Sequence, residues 1–238
     1  GKRKKGPYYN GPLLVMINRL SASASEIFSG AVQDYGRGIV VGERSFGKGT
    51  VQTLLPLSSG QLKITESKFY RISGASTQNR GVIPDVAFPS VYNSEDIGES
   101  ALDYALEWDQ ISPVRHRVYG DLSEIVPYIN SRSIERRKID PDFTSLKERL
   151  VFSKQNSANT EVSLNEADRK KRRLERETRA LEIENNRRQK KGLEKIADIN
   201  QLDENEENIE NTLDDDKGVD FFLQEAGNIL ADLISFPS

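Results

Sequence analysis

Apolar and polar positions follow one rhythm in the first part of this chain and another in the rest. Leu13-Leu-Val-Met-Ile17 is a short unbroken apolar run behind Gly11-Pro12, the pattern of a strand buried on both faces of a sheet. Ser23-Ala-Ser-Glu26 matches the Ser-x-x-Glu capping box. Ile27, Phe28, Ala31, Val32 and Tyr35 follow at helical spacing, so a helix is predicted to begin at Ser23. Gly36 and Gly38 end that helix, and Ile39-Val-Val41 predicts a second buried strand. A strand, a helix and a strand in this order favour parallel pairing. Thr50 to Leu55 and Gln61 to Ile72 predict further strands about the Ser58-Ser-Gly60 turn, and Val86-Ala-Phe88 predicts a last short one. Residues 1–95 thus read as an α/β domain.

From Asp96 glycine thins out and the spacing becomes helical, around Ala101 to Trp108, Leu122 to Ile129 and Phe143 to Phe152. Glu166 to Lys191 is densely charged, with opposite charges four residues apart at Glu166/Lys170, Glu175/Arg179 and Glu184/Arg188. Such pairs stabilise an exposed helix. Ala167, Leu174 and Leu181 form only a thin seam, too short for a coiled coil. Asp203 to Asp216 is acidic and poor in apolar residues, which predicts a loop or disordered linker. A final amphipathic helix is predicted from Val219 to Ile234, with Phe222, Ala226, Ile229, Leu230 and Leu233 on its packing side. Residues 96–238 therefore read as a second, mostly helical domain.

Composition narrows the function classes. The formal net charge of −3 supplies no global attraction to nucleic acid or to an anionic membrane. Cysteine is absent, which removes disulfides, thiolate nucleophiles and cysteine zinc sites. No stretch approaches the ~20 apolar residues of a transmembrane helix. The opening Gly1-Lys-Arg-Lys-Lys5, followed by Gly6-Pro7, does not have the order of a secretory signal and suggests an excised piece.

The chemistry concentrates between Ser21 and Gln52. A serine where a strand gives way to a helix sits beside unpaired backbone N–H groups that can stabilise an oxyanion, although the same position also suits a plain helix cap. Asp34 follows Ser23 by eleven residues, on nearly the same helix face but about 16 Å further along, so direct contact is not expected. His116, the one histidine, lies between Arg115 and Arg117 and reads as a surface residue. A serine nucleophile in this chain therefore needs another base.

The blocks Ser21-Ala-Ser-Ala-Ser-Glu-Ile-Phe28, Gln33-Asp-Tyr-Gly36, Val41-Gly-Glu43 and Phe46-Gly-Lys-Gly-Thr-Val-Gln52 resemble the signatures of the carboxy-terminal processing, or tail-specific, serine peptidases. The resemblance continues through Ser76-Thr-Gln78, Gly81-Val82 and Pro84-Asp85, and more weakly into the helical tail. It implies Ser23 as nucleophile, Lys48 as general base, Gln52 as its companion and Asp34 as supporting structure. The N–H of Ala24 then becomes the oxyanion donor expected of the residue after a nucleophile. Lysine suits the role because burial disfavours its charged form, glycines on both sides let the backbone approach closely, and an uncharged glutamine can orient an amine without restoring its charge. Ser21 and Ser25 flank the nucleophile and rank behind it.

The resemblance further implies a partial peptidase core of the ClpP/crotonase-like type, no metal or other cofactor, and a periplasmic setting. The implied partners are protein or peptide substrates with apolar C-termini, and an adaptor protein is a further candidate. In the family a PDZ domain and a second oxyanion donor come from segments upstream of Gly1, so this piece alone is expected to be weakly active or inactive.

Gly42-Glu-Arg-Ser-Phe-Gly-Lys48 also fits the Gly-x4-Gly-Lys spacing of a phosphate-binding loop. Gly49 stands where Ser or Thr would ligate magnesium, and a strand is predicted where the loop needs a helix, which makes a nucleotide hydrolase the weaker alternative. The basic run Arg169 to Arg173 is interleaved with acids and lacks stacking aromatics, so it reads as a solvated helix face instead of a nucleic-acid site. A non-catalytic helical partner-docking module is the other alternative for the second domain.

Overall fold

The structure is a computed structural model that describes residues 8–92, 96–158, 160–199 and 220–236. The predicted linker from Asp203 to Asp216 lies outside the described residues. The chain divides into two compact units, Gly1–Ser131 with Ala226–Ser238, and Arg132–Glu225.

In the first unit, β1 (Leu14–Ile17), β2 (Ile39–Gly42) and β5 (Val86–Ala87) form a parallel sheet in the order β1-β2-β5. Leu14 pairs with Ile39 and Val41 with Val86. The expected strand-helix-strand unit is present, with α1 (Ala24–Asp34) as the crossover. As the central strand, β2 is buried along its whole length. Ile17, Val32, Val40 and Val82 form the core between helix and sheet, with Leu13 and Val15 packed against them. Gly42 closes β2 with φ +114°, and a Cβ there would lie 2.1 Å from the carbonyl oxygen of Ile17. Only glycine lets the two strand ends approach this closely.

An antiparallel hairpin follows, β3 (Thr50–Pro56) with β4 (Gln61–Lys68), carrying a bulge between Val51 and Gln52. The second strand ends at Lys68, short of the expected Ile72. The chain turns there instead, and Tyr70 bridges to Ser76.

One expected helix is corrected. The segment Ala101 to Trp108 is not a helix: a single 3₁₀ turn at Glu99–Ala101 gives way to irregular chain. Its backbone and indole are spent on long-range hydrogen bonds, Trp108 Nε1 donating to Ser76 O at 2.9 Å and Asn79 Nδ2 to Leu106 O at 3.1 Å. On α1, Ile27 and Phe28 are more than half exposed, whereas Glu26, Ser29, Gly30 and Val32 are buried. The packing face of this helix is therefore largely polar or small, because it covers loops and not only the sheet.

The remaining helices are α2 (Ile125–Ile139), α3 (Pro141–Ser157), α4 (Glu166–Lys190) and α5 (Phe221–Ser235). Asp140 caps α3 by accepting from Asp142 N and Phe143 N at 2.8 and 3.0 Å, and Pro141 occupies the first turn, where its missing N–H costs nothing. Phe143 meets the edges of Phe221 and Phe222. Glu184 of α4 is 1% exposed and ion-paired to Arg149 and Arg187. The basic run of α4 is solvated as expected, with Lys170–Glu166 and Arg173–Glu177 pairs on its surface. Asp142 receives Arg187 Nε at 2.6 Å and Lys191 Nζ at 2.8 Å. Burial pushes its carboxyl up, but the hydrogen bonds and charges of these cations outweigh burial and hold it below its ordinary value of 3.8.

Two outcomes follow from this packing. Ile39→Ala empties a fully buried site and is expected to cost ~2–5 kcal/mol, whereas Leu54→Ala on the exposed hairpin should stay within ~0.5 kcal/mol; urea denaturation of the two variants checks this. Because the folded-state carboxyl of Asp142 is depressed, its contribution is complete above the unfolded value and disappears as pH falls through the lower folded one. Asp142→Asn should therefore lower the unfolding midpoint at pH 7 and leave it unchanged well below pH 3.8, in paired thermal melts.

Candidate active site

β1 delivers the chain to a tight turn, Asn18 to Ser21, closed by Ser21 N donating to Asn18 O at 3.0 Å and by Asn18 N donating to Ser21 Oγ at 3.1 Å. That engages the Ser21 hydroxyl. Ser23 then sits at the N-cap of α1 with φ 55° and ψ −109°. A non-glycine residue in this region is strained, and such strain on a strand-to-helix turn is the geometry that presents a nucleophile. Ala24 opens the helix, and its N–H has no acceptor among the described residues, leaving a donor next to the Ser23 hydroxyl.

The link between this turn and the lysine loop is Glu26. It is fully buried and accepts from four donors: Ser23 N at 2.8 Å, Ser45 Oγ at 2.5 Å, Gly47 N at 2.7 Å and Lys48 N at 2.9 Å. Burial pushes its carboxyl above the ordinary range, opposed by the hydrogen bonds from Ser45, Gly47, Ser23 and Lys48. The capping-box pattern identified Glu26 as a partner of Ser23 but gave no sign that one carboxylate spans from residue 23 to residue 48.

The loop from Phe46 to Gly49 has no regular secondary structure, yet each of its N–H groups is taken. Phe46 N donates to Ser21 O at 2.9 Å, Gly47 N and Lys48 N to Glu26, and Gly49 N to Gln78 Oε1 at 3.0 Å. Gly47 O and Gly49 O accept from Asn79 N and Phe69 N at 2.8 and 3.0 Å. Gly47 has φ +97°, and a Cβ on Gly49 would lie 2.7 Å from Gln78 N. The two glycines thus permit the close backbone approach that the sequence anticipated. β3 begins at Thr50, so a strand and not a helix follows this loop, and the phosphate-loop alternative lacks the helix whose N-terminus would hold the anion.

The structure brings Ser23, Ala24 and the Lys48 backbone together through Glu26, but no hydrogen bond joins Ser23 Oγ to the Lys48 amine. That amine makes no hydrogen bond or ion pair among the described residues. Gln52, beside the β3 bulge, donates to Thr50 Oγ1 at 2.9 Å and not to Lys48. Asp34 lies at the far end of α1, gripped by Arg71 through Nη2 at 2.6 Å and Nε at 3.1 Å. His116 is exposed, with Nε2 2.9 Å from Asp34 O at the end of α1. Three residues of this site were missed as such by sequence reasoning: Ser45, Gln78 and Arg19. Ser45 accepts from Val82 N while donating to Glu26, and buried Arg19 donates to Ser45 O at 2.7 Å. Gln78 fell inside a resembling block, but nothing in the pattern assigned it a partner.

Residues 1–88 match the family model described as Peptidase family S41, and residues 92–235 match the one described as C-terminal domain of tail specific protease (DUF3340). The chain is 38% identical over 97% of its length to the tail-specific protease of Haemophilus influenzae, spanning 33% of that protein. It is 46% identical to the carboxy-terminal-processing protease of Bartonella bacilliformis over 38% of this chain and 23% of that protein. Among solved structures, the photosystem II D1 C-terminal processing protease is 42% identical over 35% of this chain and 22% of that one, with a TM-score of 0.32.

Glu26→Ala strands four donors and is expected to lower stability by at least ~2 kcal/mol. Glu26→Gln should cost about half as much, because its amide can face Ser45, whose hydroxyl can accept, and so forfeit only the Gly47 bond. Urea unfolding of both variants checks the order.

Proposed function

The chain belongs to the tail-specific proteases of peptidase family S41, and on that premise we propose that it carries the Ser23/Lys48 dyad with which the whole enzyme hydrolyses peptide bonds. The amine of Lys48 takes the Ser23 proton as Oγ attacks the scissile carbonyl, and the N–H of Ala24 helps hold the oxyanion. The proton passes to the leaving amine, and water, deprotonated by the same lysine, releases the acyl group. Gln52, held through its nitrogen by Thr50, offers its amide oxygen to orient the Lys48 amine. Asp34, through Arg71, supports the helix that bears Ser23. The observation that carries this mechanism is the strained Ser23 turn tied by one buried carboxylate to the lysine loop.

Further properties of the whole enzyme are part of the same proposal. The core is of the ClpP/crotonase-like type, and the helical domain begins near residue 96. The substrates are proteins with apolar C-terminal ends, met in the periplasm, and an adaptor assists their delivery; the names of the relatives, tail-specific and carboxy-terminal-processing, support this class. The chain spans about a third of the Haemophilus relative. A PDZ domain and a second oxyanion donor reside in the remaining length, and this chain alone is weakly active or inactive.

The test is cleavage of a protein with an apolar C-terminal tag by the full-length parent. Ser23→Ala and Lys48→Ala should each lower kcat/KM by ~1,000-fold or more, and a polar-ended substrate should be spared. Retained activity in either variant would sink the dyad.

A further inference from the structure

The lysine loop is gripped from two sides. Glu26 holds it from the helix side at Gly47 N and Lys48 N. On the other side stands Glu99, 8% exposed, in the stretch matched to the C-terminal domain but within the same compact unit as Ser23 and Lys48. Its backbone N–H donates to Phe46 O at 3.0 Å, two residues before Lys48. Its carboxylate accepts from Gln78 Nε2 at 3.1 Å, and fully buried Gln78 accepts through Oε1 from Gly49 N at 3.0 Å, one residue after Lys48. Glu99 therefore brackets the lysine, directly on one flank and through a single side chain on the other.

The surrounding strap reinforces this placement. Ile97 O accepts from Arg19 Nε at 2.7 Å, the same guanidinium that holds Ser45 O. Leu106 O accepts from Asn79 Nδ2 at 3.1 Å, and Asn79 N in turn holds Gly47 O. The Trp108 indole donates to Ser76 O, two residues from Gln78. A loop without helix or strand ladder relies on such contacts for its shape, because each N–H or C=O left free in a buried loop costs desolvation energy.

Resting on the Ser23/Lys48 mechanism above, we propose that Glu99 is a positioning residue for the general base, acting through Gln78 and Phe46, so that residues 97–109 of the C-terminal region complete the peptidase site. An alanine there leaves the Gln78 amide unanchored and lets Gly49 and the lysine before it drift. Displacements of about an ångström at a reacting group cost up to ~100-fold in rate.

The experiment uses the full-length parental enzyme, with active sites counted by the final extent of labelling with a fluorophosphonate, and kcat and KM measured on an apolar-tagged substrate well below the unfolding midpoint. Glu99→Ala is expected to lower kcat per labelled site ~10- to 100-fold with KM within about twofold of the parent. Glu99→Gln, whose amide oxygen can still accept from Gln78, should recover most of that loss. Gln78→Met, which keeps the volume and removes both hydrogen bonds, should reproduce it, and decides the matter if Glu99→Ala does not fold. Glu99→Ala and Gln78→Met combined should be little worse than the more severe single variant. The proposal is overturned if Ser23→Ala and Lys48→Ala are inactive while Glu99→Ala and Gln78→Met keep kcat per labelled site, or if their loss lies in stability or KM alone. Activity surviving in Ser23→Ala or Lys48→Ala would instead remove the mechanism on which the proposal stands.

Discussion

The site depends on a buried carboxylate with four donors around it. Glu26 is fully excluded from water, and burying a carboxyl this deeply raises its proton affinity. The environment answers with three backbone N–H groups and one hydroxyl, drawn from both ends of the motif-bearing stretch. A buried acceptor so saturated has one favourable arrangement of its donors, and that arrangement sets the distance between the Ser23 turn and the Lys48 loop. The tie is made to the backbone of Lys48 and not to its amine, so the carboxylate holds the lysine loop without forming an ion pair with that amine.

The same constraint explains two departures from ordinary helix packing. Ser23 adopts φ 55° although serine gains nothing locally from it, and the surroundings must hold it there. The Glu26 bond to Ser23 N and the Phe46 bond to Ser21 O restrain the chain at that residue and just before it. Helix α1 turns a charged and small-residue face inward because its first turn packs on loops that need acceptors, while Ile27 and Phe28 are left outside. Strain at Ser23 and polarity on the inward face of α1 are thus two consequences of one arrangement.

Asp34 and Asp85 serve the other end of the helix in a related way. Arg71 forks onto Asp34, and Gln33 bridges to Asp85, whose second oxygen accepts from Val40 N on the central strand. Burial raises the Asp85 carboxyl, with the Val40 and Gln33 bonds opposing it. Helix α1 is therefore fastened to the sheet at its C-terminal end and to the lysine loop at its N-terminal end, which leaves its first residue little freedom to wander.

Much was legible in the residues themselves. The apolar runs at Leu13–Ile17 and Ile39–Val41, the cap at Ser23 and the glycine punctuation located β1, α1 and β2 and their parallel pairing, because side-chain periodicity and turn chemistry are local properties. The order and spacing of the blocks around Ser23 and Lys48 likewise pointed to the family. What the tertiary structure alone decided is which polar groups meet. That Glu26 reaches Lys48, that Gln78 reaches Gly49, and that Glu99 lies against this loop in a 3₁₀ turn leading into irregular chain in place of a helix from Ala101 to Trp108, depend on hydrogen bonds between residues 21 or more positions apart. Helical spacing can be read from neighbours along the chain; satisfaction of a buried donor depends on whatever the fold brings to it, and no local pattern encodes that partner.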